Sequence, residues 1–243
     1  MRSDRLAAFD RAEGRAGVLL DFDGTLSPIV ARPELARIRD SARRSLTRLV
    51  NRYPLVAVIS GRTDAELAAL VDVPGVRLVG MYGMGDPGAL PTGMAEAVSA
   101  ASSRVAGARV EPKGSSIAVH VRGAADPDAA DEALREPLAE IGRAYGFEVI
   151  PGKRVLELVR EGRPMKEGAV ERLVVDERLD AALFAGDDLA DLRAFAALDR
   201  LSERGVLTVK IAVRGPETPR TLTDAADVVV DGPAGLVILL DRL

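Results

Sequence analysis

The chain has 243 residues, of which 47% are hydrophobic, and a formal net charge of −4 at pH 7. This length can bury a full core, either in one large domain or in a core with a smaller second unit. The chain has no cysteine and a single histidine, which excludes disulfides, thiol catalysis, and metal sites built from cysteines or several histidines.

Neither a membrane nor a nucleic acid is an expected partner. No apolar run approaches the ~20 residues of a bilayer span, and residues 1–11 contain no apolar stretch of the signal-peptide type. Acidic and basic residues are interspersed, without a long basic tract. We therefore expect a cytoplasmic, monomeric protein.

Two carboxylates follow the first predicted strand. The apolar run 17–20 leads directly into Asp21 and Asp23, and a Gly-Thr turn ends at Thr25. A short continuous apolar run is typical of a strand buried in a parallel sheet, and ligands collect beyond the carboxyl ends of such strands. A carboxylate there can attack a phosphoryl group to give an acyl phosphate, although an ordinary acidic turn has the same pattern.

Two further segments offer groups that bind phosphate. The apolar run 55–59 leads into Ser60, whose hydroxyl and neighbouring backbone N–H groups can donate to phosphate oxygens near a helix N-terminus. Lys166 begins a predicted helix and supplies a compact positive charge. We expect Thr25, Gly61 and Arg62 to contact the substrate as well.

A fourth segment offers metal ligands. The apolar run 181–185 leads into Asp187 and Asp188, which supply hard oxygen donors together with Asp21. Such donors suit Mg²⁺. The sequence therefore predicts a magnesium site beside the phosphate site.

At these four segments the chain resembles the haloacid dehalogenase superfamily of phosphohydrolases, whose motifs occur here in the expected order. The resemblance implies that Asp21 is the nucleophile and Asp23 the general acid and base, with phosphate contacts from Ser60 and Lys166.

The same resemblance implies a ligand set for Mg²⁺. The expected ligands are Asp21, the backbone carbonyl of Asp23, and Asp187. Asp188 and Asp191 are expected to support them, either as further ligands or as residues that hold the ligands in place without binding the metal.

Alternating strands and helices predict the fold class, an α/β Rossmann-like hydrolase core with a parallel sheet. We expect strands at 17–21, 55–59, 76–80, 181–186, 207–213 and 227–230, and helices at 38–50, 63–71, 166–175 and 188–198. Thr63 followed by Glu66 predicts a capping box at the start of the second helix. Lys210 is expected on an edge strand or a barrel face.

An α+β cap is predicted between the two halves of the core, which are residues 1–88 and 162–243. Residues 89–161 contain helical patterns at 94–105 and 128–145 and strand patterns at 108–110, 116–122, 147–150 and 154–159. Such an insertion can close over the sheet edge and exclude water. Segments 83–88 and 161–164 are the expected hinges. The first also spells G-x-G-x-x-G, but no helix pattern follows it, so a linker is favoured over a nucleotide site.

Nearly the whole chain is also similar to trehalose-6-phosphate phosphatases. Segments 26–29, 110–113, 118–122 and 152–158 carry this similarity. It implies that Glu111, Lys113 and Glu157, with Lys153 beside them, bind hydroxyls of the disaccharide. A site built to hydrogen-bond hydroxyls rejects ligands that lack them.

Two segments depart from that family. It usually has Ser-His-Gly after the third core strand, where this chain has Met81, Tyr82 and Gly83. It also tends to have Thr-Asp-Glu after the paired aspartates, where this chain has Ala190, Asp191 and Leu192. The groups needed for phosphatase chemistry are retained, whereas groups near the substrate and metal differ.

The expected function is Mg²⁺-dependent hydrolysis of trehalose 6-phosphate through an aspartyl phosphate, with a small sugar phosphate as the partner. The first alternative is a related phosphatase for another sugar or pseudo-disaccharide phosphate. The second is a protein without phosphatase activity, either a phospho-acceptor module or a sugar-phosphate sensor. Both Asp21 and Asp23 are present, which disfavours the sensor.

Overall fold

A computed structural model of the chain describes residues 2–30, 32–83, 88–162 and 165–243. The chain divides into two compact units, here called the core unit (Met1–Met84 and Pro164–Leu243) and the cap unit (Gly85–Arg163). The core unit is thus assembled from two segments separated by an insertion. The expected hinges at 83–88 and 161–164 fall largely outside the described residues.

The described residues form ten strands. In chain order they are β1 (Ala16–Leu20), β2 (Leu55–Ile59), β3 (Arg77–Val79), β4 (Arg109–Pro112), β5 (Ile117–His120), β6 (Phe147–Gly152), β7 (Val155–Arg160), β8 (Ala181–Gly186), β9 (Leu207–Arg214) and β10 (Val228–Asp231).

The α-helices in the described part of the chain are α1 (Arg2–Arg11), α2 (Asp40–Val50), α3 (Asp64–Val71), α4 (Met94–Ser102), α5 (Pro127–Tyr145), α6 (Lys166–Asp176), α7 (Leu189–Glu203), α8 (Arg220–Ala225) and α9 (Gly232–Leu240). Of these described helices, none is both long enough and apolar enough to cross a bilayer.

The core unit contains a six-stranded parallel sheet in the order β10-β9-β8-β1-β2-β3. Every residue of β1 is buried, and Leu20 pairs with Val58 of β2 and with Ala185 of β8. The chain runs outward from β1 through β2 and β3 on one side, and through β8, β9 and β10 on the other. The order of the strands therefore reverses at β1, and the carboxyl ends of β2, β1 and β8 lie side by side there.

Helices cover both faces of this sheet because β1 is apolar on both sides. Leu20 packs into a core with residues of α1, α2, α3 and α9, whereas Leu19 packs into a second core with residues of α6, α7 and α8. The sequence analysis did not predict α1, α8 or α9. The segment 233–240 is almost wholly apolar, so it has no helical periodicity to read.

The position expected for Lys210 is wrong. Strand β9 lies between β8 and β10, so Lys210 is on an interior strand. Its Nζ donates to Asp199 Oδ1 of α7 at 2.7 Å. This ion pair gives Lys210 a charged partner on the neighbouring helix.

The cap unit contains a four-stranded antiparallel sheet in the order β4-β5-β7-β6. Val119 and Leu156 lie opposite each other and pack into a core with Val98 of α4 and Leu134 and Leu138 of α5. The side chains of β5 and β7 that alternate with these project from the other face of the sheet. Polar residues of the cap, including Glu157, therefore share one face.

The predicted capping box at α3 is confirmed. The Thr63 side chain accepts from Glu66 N–H at 3.2 Å, and Glu66 Oε2 accepts from Thr63 N–H at 2.8 Å. We expect Thr63→Ala to destabilise the protein by about 0.5–2 kcal/mol, because a helix N–H loses its acceptor. Equilibrium urea denaturation would measure this change.

Thr47→Ala is the matched control, since Thr47 lies within α2 and its hydroxyl donates to a carbonyl of its own helix. Its replacement should cost less, because alanine is the better helix former. Equal losses in the two variants would contradict the role assigned to the cap.

Candidate active site

Three buried carboxylates converge at the carboxyl edge of the core sheet. Asp21 follows β1, and its N–H donates to Ala185 O at 2.9 Å, which ties the end of β1 to β8. Asp21, Asp187 and Asp191 each offer an oxygen atom within 4.8 Å of those of the other two. The topology therefore unites residues that lie up to 170 positions apart.

Lys166, the first residue of α6, lies buried between two of these carboxylates. Its Nζ donates to Asp21 Oδ1 and to Asp191 Oδ1, at 2.6 Å in each case. Burial by itself lowers the pKa of Lys166, but the charges of Asp191 and Asp21 more than offset this, and the pKa lies above its ordinary value. The ammonium group is therefore a permanent positive charge beside Asp21.

The pKa of Asp21 is raised above its ordinary value. Burial is the largest cause, Asp191 and Asp23 raise it further, and Lys166 opposes them. Additional positive charge near Asp21 would favour its ionised form, which is the nucleophilic form.

Asp191 organises the loop that follows β8. Its Oδ2 accepts from the N–H groups of Asp187 and Asp188 at 2.8 and 2.9 Å, while its Oδ1 accepts from Lys166. Both carboxylate oxygens are thus engaged within the protein. This arrangement favours a role for Asp191 in holding the candidate metal ligands in place rather than in binding the metal itself.

Asp187 packs closely against the loop after β1. Thr25 Oγ1 donates to Asp187 Oδ1 at 3.3 Å, so Thr25, expected at the substrate, contacts a candidate metal ligand. A Cβ atom on Gly24 would lie 1.9 Å from Asp187 Oδ2, and the φ angle of Gly24 is +86°. Only glycine therefore allows this approach.

Asp188 has a different environment from the three clustered carboxylates. Its Oδ1 accepts from Leu189 N–H at 2.5 Å, and it forms a capping box with Asp191 at the start of α7. Within the described residues, Asp188 is not part of the carboxylate cluster. The structure thus gives this predicted ligand the contacts of a helix cap.

The residues present fit a divalent cation such as Mg²⁺. The cluster offers only carboxylate oxygens, and its three carboxylates outnumber the ammonium group of Lys166, which donates to two of them. Negative charge is therefore in excess when all three are ionised. Hard oxygen donors with excess negative charge are the environment that Mg²⁺ prefers.

Arg62 holds the carboxylate of Asp23. The Nε and Nη2 groups donate to Asp23 Oδ2 and Oδ1, both at 2.7 Å, and the guanidinium lies 5.2 Å from the centre of the Phe22 ring. A bidentate pair fixes both distance and orientation. Arg62, expected to bind substrate, is thus placed to orient Asp23.

Ser60 lies buried at the end of β2, with its Oγ accepting from Arg62 N–H at 3.3 Å. Next to it, a Cβ atom on Gly61 would lie 2.7 Å from Tyr82 Oη. The sequence analysis did not place Tyr82 in the site. The one signal for it was the departure from Ser-His-Gly at 81–83.

Three of the predicted sugar-binding residues cluster on the polar face of the cap sheet. Glu111 and Glu157 both pair with Ala118 of β5, which puts them in one row across the strands. Glu157 Oε1 accepts from Ser116 Oγ at 2.8 Å and lies 3.9 Å from Lys113 Nζ. The fourth predicted residue, Lys153, lies in the turn between β6 and β7.

Glu111 also accepts a hydrogen bond from the single histidine, with Glu111 Oε2 2.6 Å from His120 Nε2. Burial lowers the pKa of His120, and Glu111 only partly offsets this. Burial by itself raises the pKa of Glu111, but His120 and Lys113 more than offset it, and the pKa is lowered. At neutral pH a neutral imidazole therefore donates to a carboxylate.

Comparison with known proteins identifies the family. The model of the trehalose-phosphatase family matches residues 19–86 and 93–226. The chain belongs to the trehalose-phosphatase family. Because this match spans both units, the predicted family is confirmed for the cap as well as for the core.

Two curated relatives illustrate this membership. A trehalose-phosphate phosphatase of Mycobacterium avium is 33% identical over 257 residues, covering 96% of this chain and 64% of the relative. An uncharacterized glycosyl hydrolase of Mycobacterium tuberculosis is 38% identical over 208 residues, covering 76% of this chain and 15% of the relative. The chain thus spans less than two thirds of each of these relatives.

Solved structures of a trehalose-6-phosphate phosphatase and of a haloacid dehalogenase-like hydrolase share the fold. The C-terminal domain of Candida albicans trehalose-6-phosphate phosphatase has a TM-score of 0.81 and 25% identity, covering 99% of this chain and 95% of that one. A haloacid dehalogenase-like hydrolase of Bacteroides thetaiotaomicron has a TM-score of 0.65 and 14% identity, covering 94% of this chain and 99% of that one. The predicted fold class is confirmed.

We expect Asp191→Ala to destabilise this trehalose-phosphatase family member by about 3–5 kcal/mol, because it leaves a buried ammonium with one carboxylate fewer. Two backbone N–H groups also lose their acceptor. Urea denaturation would measure the free energy of unfolding.

Asp199→Ala, on the same helix, is the matched control. Asp199 is largely exposed and pairs with Lys210, so its loss should cost less than about 1 kcal/mol. A similar loss in both variants would show that the buried network contributes no special stability.

The single histidine allows a direct test of the His120–Glu111 pair by NMR titration. We expect the imidazole to titrate below its ordinary value of 6.5. Glu111→Gln should lower the midpoint further, because the carboxylate stabilises the charged imidazole. A midpoint at or above 6.5, or a rise in the variant, would contradict the arrangement.

Proposed function

We propose that this chain is a Mg²⁺-dependent phosphatase that hydrolyses trehalose 6-phosphate to trehalose and phosphate. The observation that carries the proposal is the contact of Asp21 with Lys166 inside a carboxylate cluster, in a chain of the trehalose-phosphatase family. The choice of substrate follows the similar proteins of Mycobacterium avium and Candida albicans, a trehalose-phosphate phosphatase and a trehalose-6-phosphate phosphatase.

In the first half of the proposed reaction, the Asp21 carboxylate attacks phosphorus. The bond between phosphorus and the sugar oxygen breaks, and Asp23 donates a proton to that oxygen as it leaves. The product on the protein is an aspartyl phosphate on Asp21. Arg62 contributes by holding the Asp23 carboxylate in one orientation.

In the second half, Asp23 takes a proton from a water molecule, which attacks the phosphorus of the aspartyl phosphate. The bond to Asp21 breaks, inorganic phosphate is released, and the carboxylate of Asp21 is restored. One group thus acts first as acid and then as base.

Positive charge and hydrogen-bond donors lower the activation free energy of both halves of the proposed reaction. Lys166 is held beside Asp21, and Ser60 lies at the end of the neighbouring strand. Both are proposed to contact the phosphoryl oxygens, which carry the charge of the transition state. Mg²⁺, held by Asp21, Asp187 and the Asp23 carbonyl, would supply further charge stabilisation.

The cap unit is proposed to supply recognition of the sugar. Glu111, Lys113 and Glu157 present two carboxylates and an ammonium group on one face of its sheet, and Lys153 is included with them. The carboxylates can accept hydrogen bonds from sugar hydroxyls, and the ammonium groups can donate hydrogen bonds to them. The His120–Glu111 hydrogen bond would limit the rotamers of Glu111.

A second candidate substrate is another sugar or pseudo-disaccharide phosphate. The observation that favours it is the aromatic Tyr82 beside Lys166, where the family usually has histidine. The chemistry at Asp21 would be unchanged, and only the leaving group would differ.

The test is phosphate release by the purified chain with Mg²⁺. The substrates are trehalose 6-phosphate, sucrose 6-phosphate, glucose 6-phosphate and an aryl phosphate. We expect selective turnover of trehalose 6-phosphate that is lost with EDTA and restored by Mg²⁺. Turnover of another sugar phosphate in its place would support the second candidate.

Asp21→Asn is the control variant. We expect it to lower turnover by about 10³-fold or more, because an amide is not a nucleophile here. Its melting temperature should fall, because Lys166 loses one of its two carboxylate partners, but the variant should remain folded at the assay temperature, since Lys166 keeps its contact with Asp191. Unchanged turnover in this variant would refute the assignment of the nucleophile.

A further inference from the structure

Two consecutive residues near the site have an unfavourable backbone conformation. Met81 has φ and ψ angles of 49° and 34°, and Tyr82 has angles of 57° and 28°. Both lie in the left-handed region, which residues with a Cβ atom rarely adopt. Such outliers persist only where their surroundings impose them, and they cluster at functional sites.

Hydrogen bonds to the loop after β2, which carries Ser60, hold this conformation. Met81 N–H donates to Arg62 O at 2.8 Å, and Tyr82 N–H donates to Ser60 O at 3.0 Å. On the other side, Gly83 O accepts from Arg172 Nη2 of α6 at 2.6 Å. The strained turn is thus fastened both to the loop after β2 and to the helix that begins with Lys166.

The consequence is the position of the Tyr82 ring. Lys166 Nζ lies 5.9 Å from the ring centre, within the range of a cation–π interaction. At the other end of the side chain, a Cβ atom on Gly61 would lie 2.7 Å from Tyr82 Oη and 3.0 Å from Cζ. One side chain therefore contacts two of the segments expected to bind phosphate.

An aromatic ring suits this position for an electrostatic reason. Lys166 also donates to the carboxylates of Asp21 and Asp191, each of which bears a full negative charge when it is ionised. The face of a ring attracts the ammonium without adding a full charge that would repel an incoming phosphate. The ring also limits the space into which Lys166 can move.

We propose that Tyr82 is a positioning residue of the phosphate site. Its ring holds the Lys166 ammonium against Asp21, and its contact with Gly61 fixes the loop that carries Ser60. This inference rests on the proposed phosphatase function and adds a residue to that site. It also gives a reason for the strain at 81–82.

Tyr82→Asn and Tyr82→Phe separate the ring from the backbone. Asparagine tolerates the left-handed conformation but has no ring, whereas phenylalanine keeps the ring and loses the hydroxyl. We expect Tyr82→Asn to lower kcat/KM by about 3- to 30-fold, the loss expected for one cation–π contact. Tyr82→Phe should stay within about threefold of the wild type.

A second measurement does not depend on turnover. Calorimetric titration with inorganic phosphate in the presence of Mg²⁺ should show weaker binding to Tyr82→Asn by a similar factor. The melting temperature should change by less than about 4 °C, because relief of backbone strain offsets the lost packing of the ring. If the asparagine variant does not fold, Tyr82→Gly provides the same test, since glycine also tolerates this conformation.

Met81→Asn is the matched control. Met81 shares the backbone strain, whereas the contacts with Lys166 and Gly61 are made by Tyr82. We expect this variant to retain wild-type kinetics and phosphate affinity. Equal losses in Met81→Asn and Tyr82→Asn would show that only the turn matters and would overturn the proposal.

The proposal is also wrong if Tyr82→Asn keeps the kinetics and phosphate affinity of the wild type. It is equally wrong if Tyr82→Phe lowers kcat/KM and phosphate affinity as much as Tyr82→Asn does. Failure of the proposed function gives a different result. A wild-type chain that does not turn over trehalose 6-phosphate would refute that function, while the phosphate titration would still decide the role of Tyr82.

Discussion

The buried positive charge of Lys166 is the constraint on which the site depends. Moving an ammonium group out of water costs several kcal/mol unless close partners compensate for it. Here the partners are Asp21, after β1, and Asp191, on α7, each 2.6 Å away. The ion pairs hold the beginning of α6 at the sheet edge, and they do so with the same groups that the proposed chemistry uses. Stability and function are therefore coupled at this position, because a change in any of the three charges alters both.

This network exists because the order of the strands reverses at β1. The segments with Asp21, Ser60 and Asp187 are remote in sequence, yet they follow strands that are neighbours in the sheet. Each of these strands is fully buried, so its apolar side chains fix the register and thereby the height at which each polar group emerges. The precision of the site is thus derived from the packing of residues that take no part in the chemistry.

Much of this could be predicted from the sequence, because the signals are local. Apolar runs that end in polar groups predicted the strands and the sheet edge, and the Thr63–Glu66 spacing predicted a capping box. Other features depend on pairings that no local pattern encodes. The expectation of an edge strand or a barrel face for Lys210 is wrong because the sequence does not show that β10 lies outside β9. The position of the Tyr82 ring likewise depends on a neighbour in space, Lys166, which lies 84 positions further along the chain.

The two departures from the family pattern differ in their structural consequences. At 190–192 the chain lacks a hydroxyl and a carboxylate, but it keeps Asp191, whose two oxygens bind Lys166 and the loop after β8. The hydrogen bonds that hold Lys166 and the loop after β8 are therefore present despite this departure. At 81–82 the exchange introduces a side chain that itself contacts Lys166 and Gly61, and the backbone is strained to place it. Strain that a protein retains beside a reacting group indicates a benefit elsewhere, because a mutation to glycine or asparagine would relieve it. Of these two departures, the one at 81–82 is accordingly the one that adds new side-chain contacts to the site.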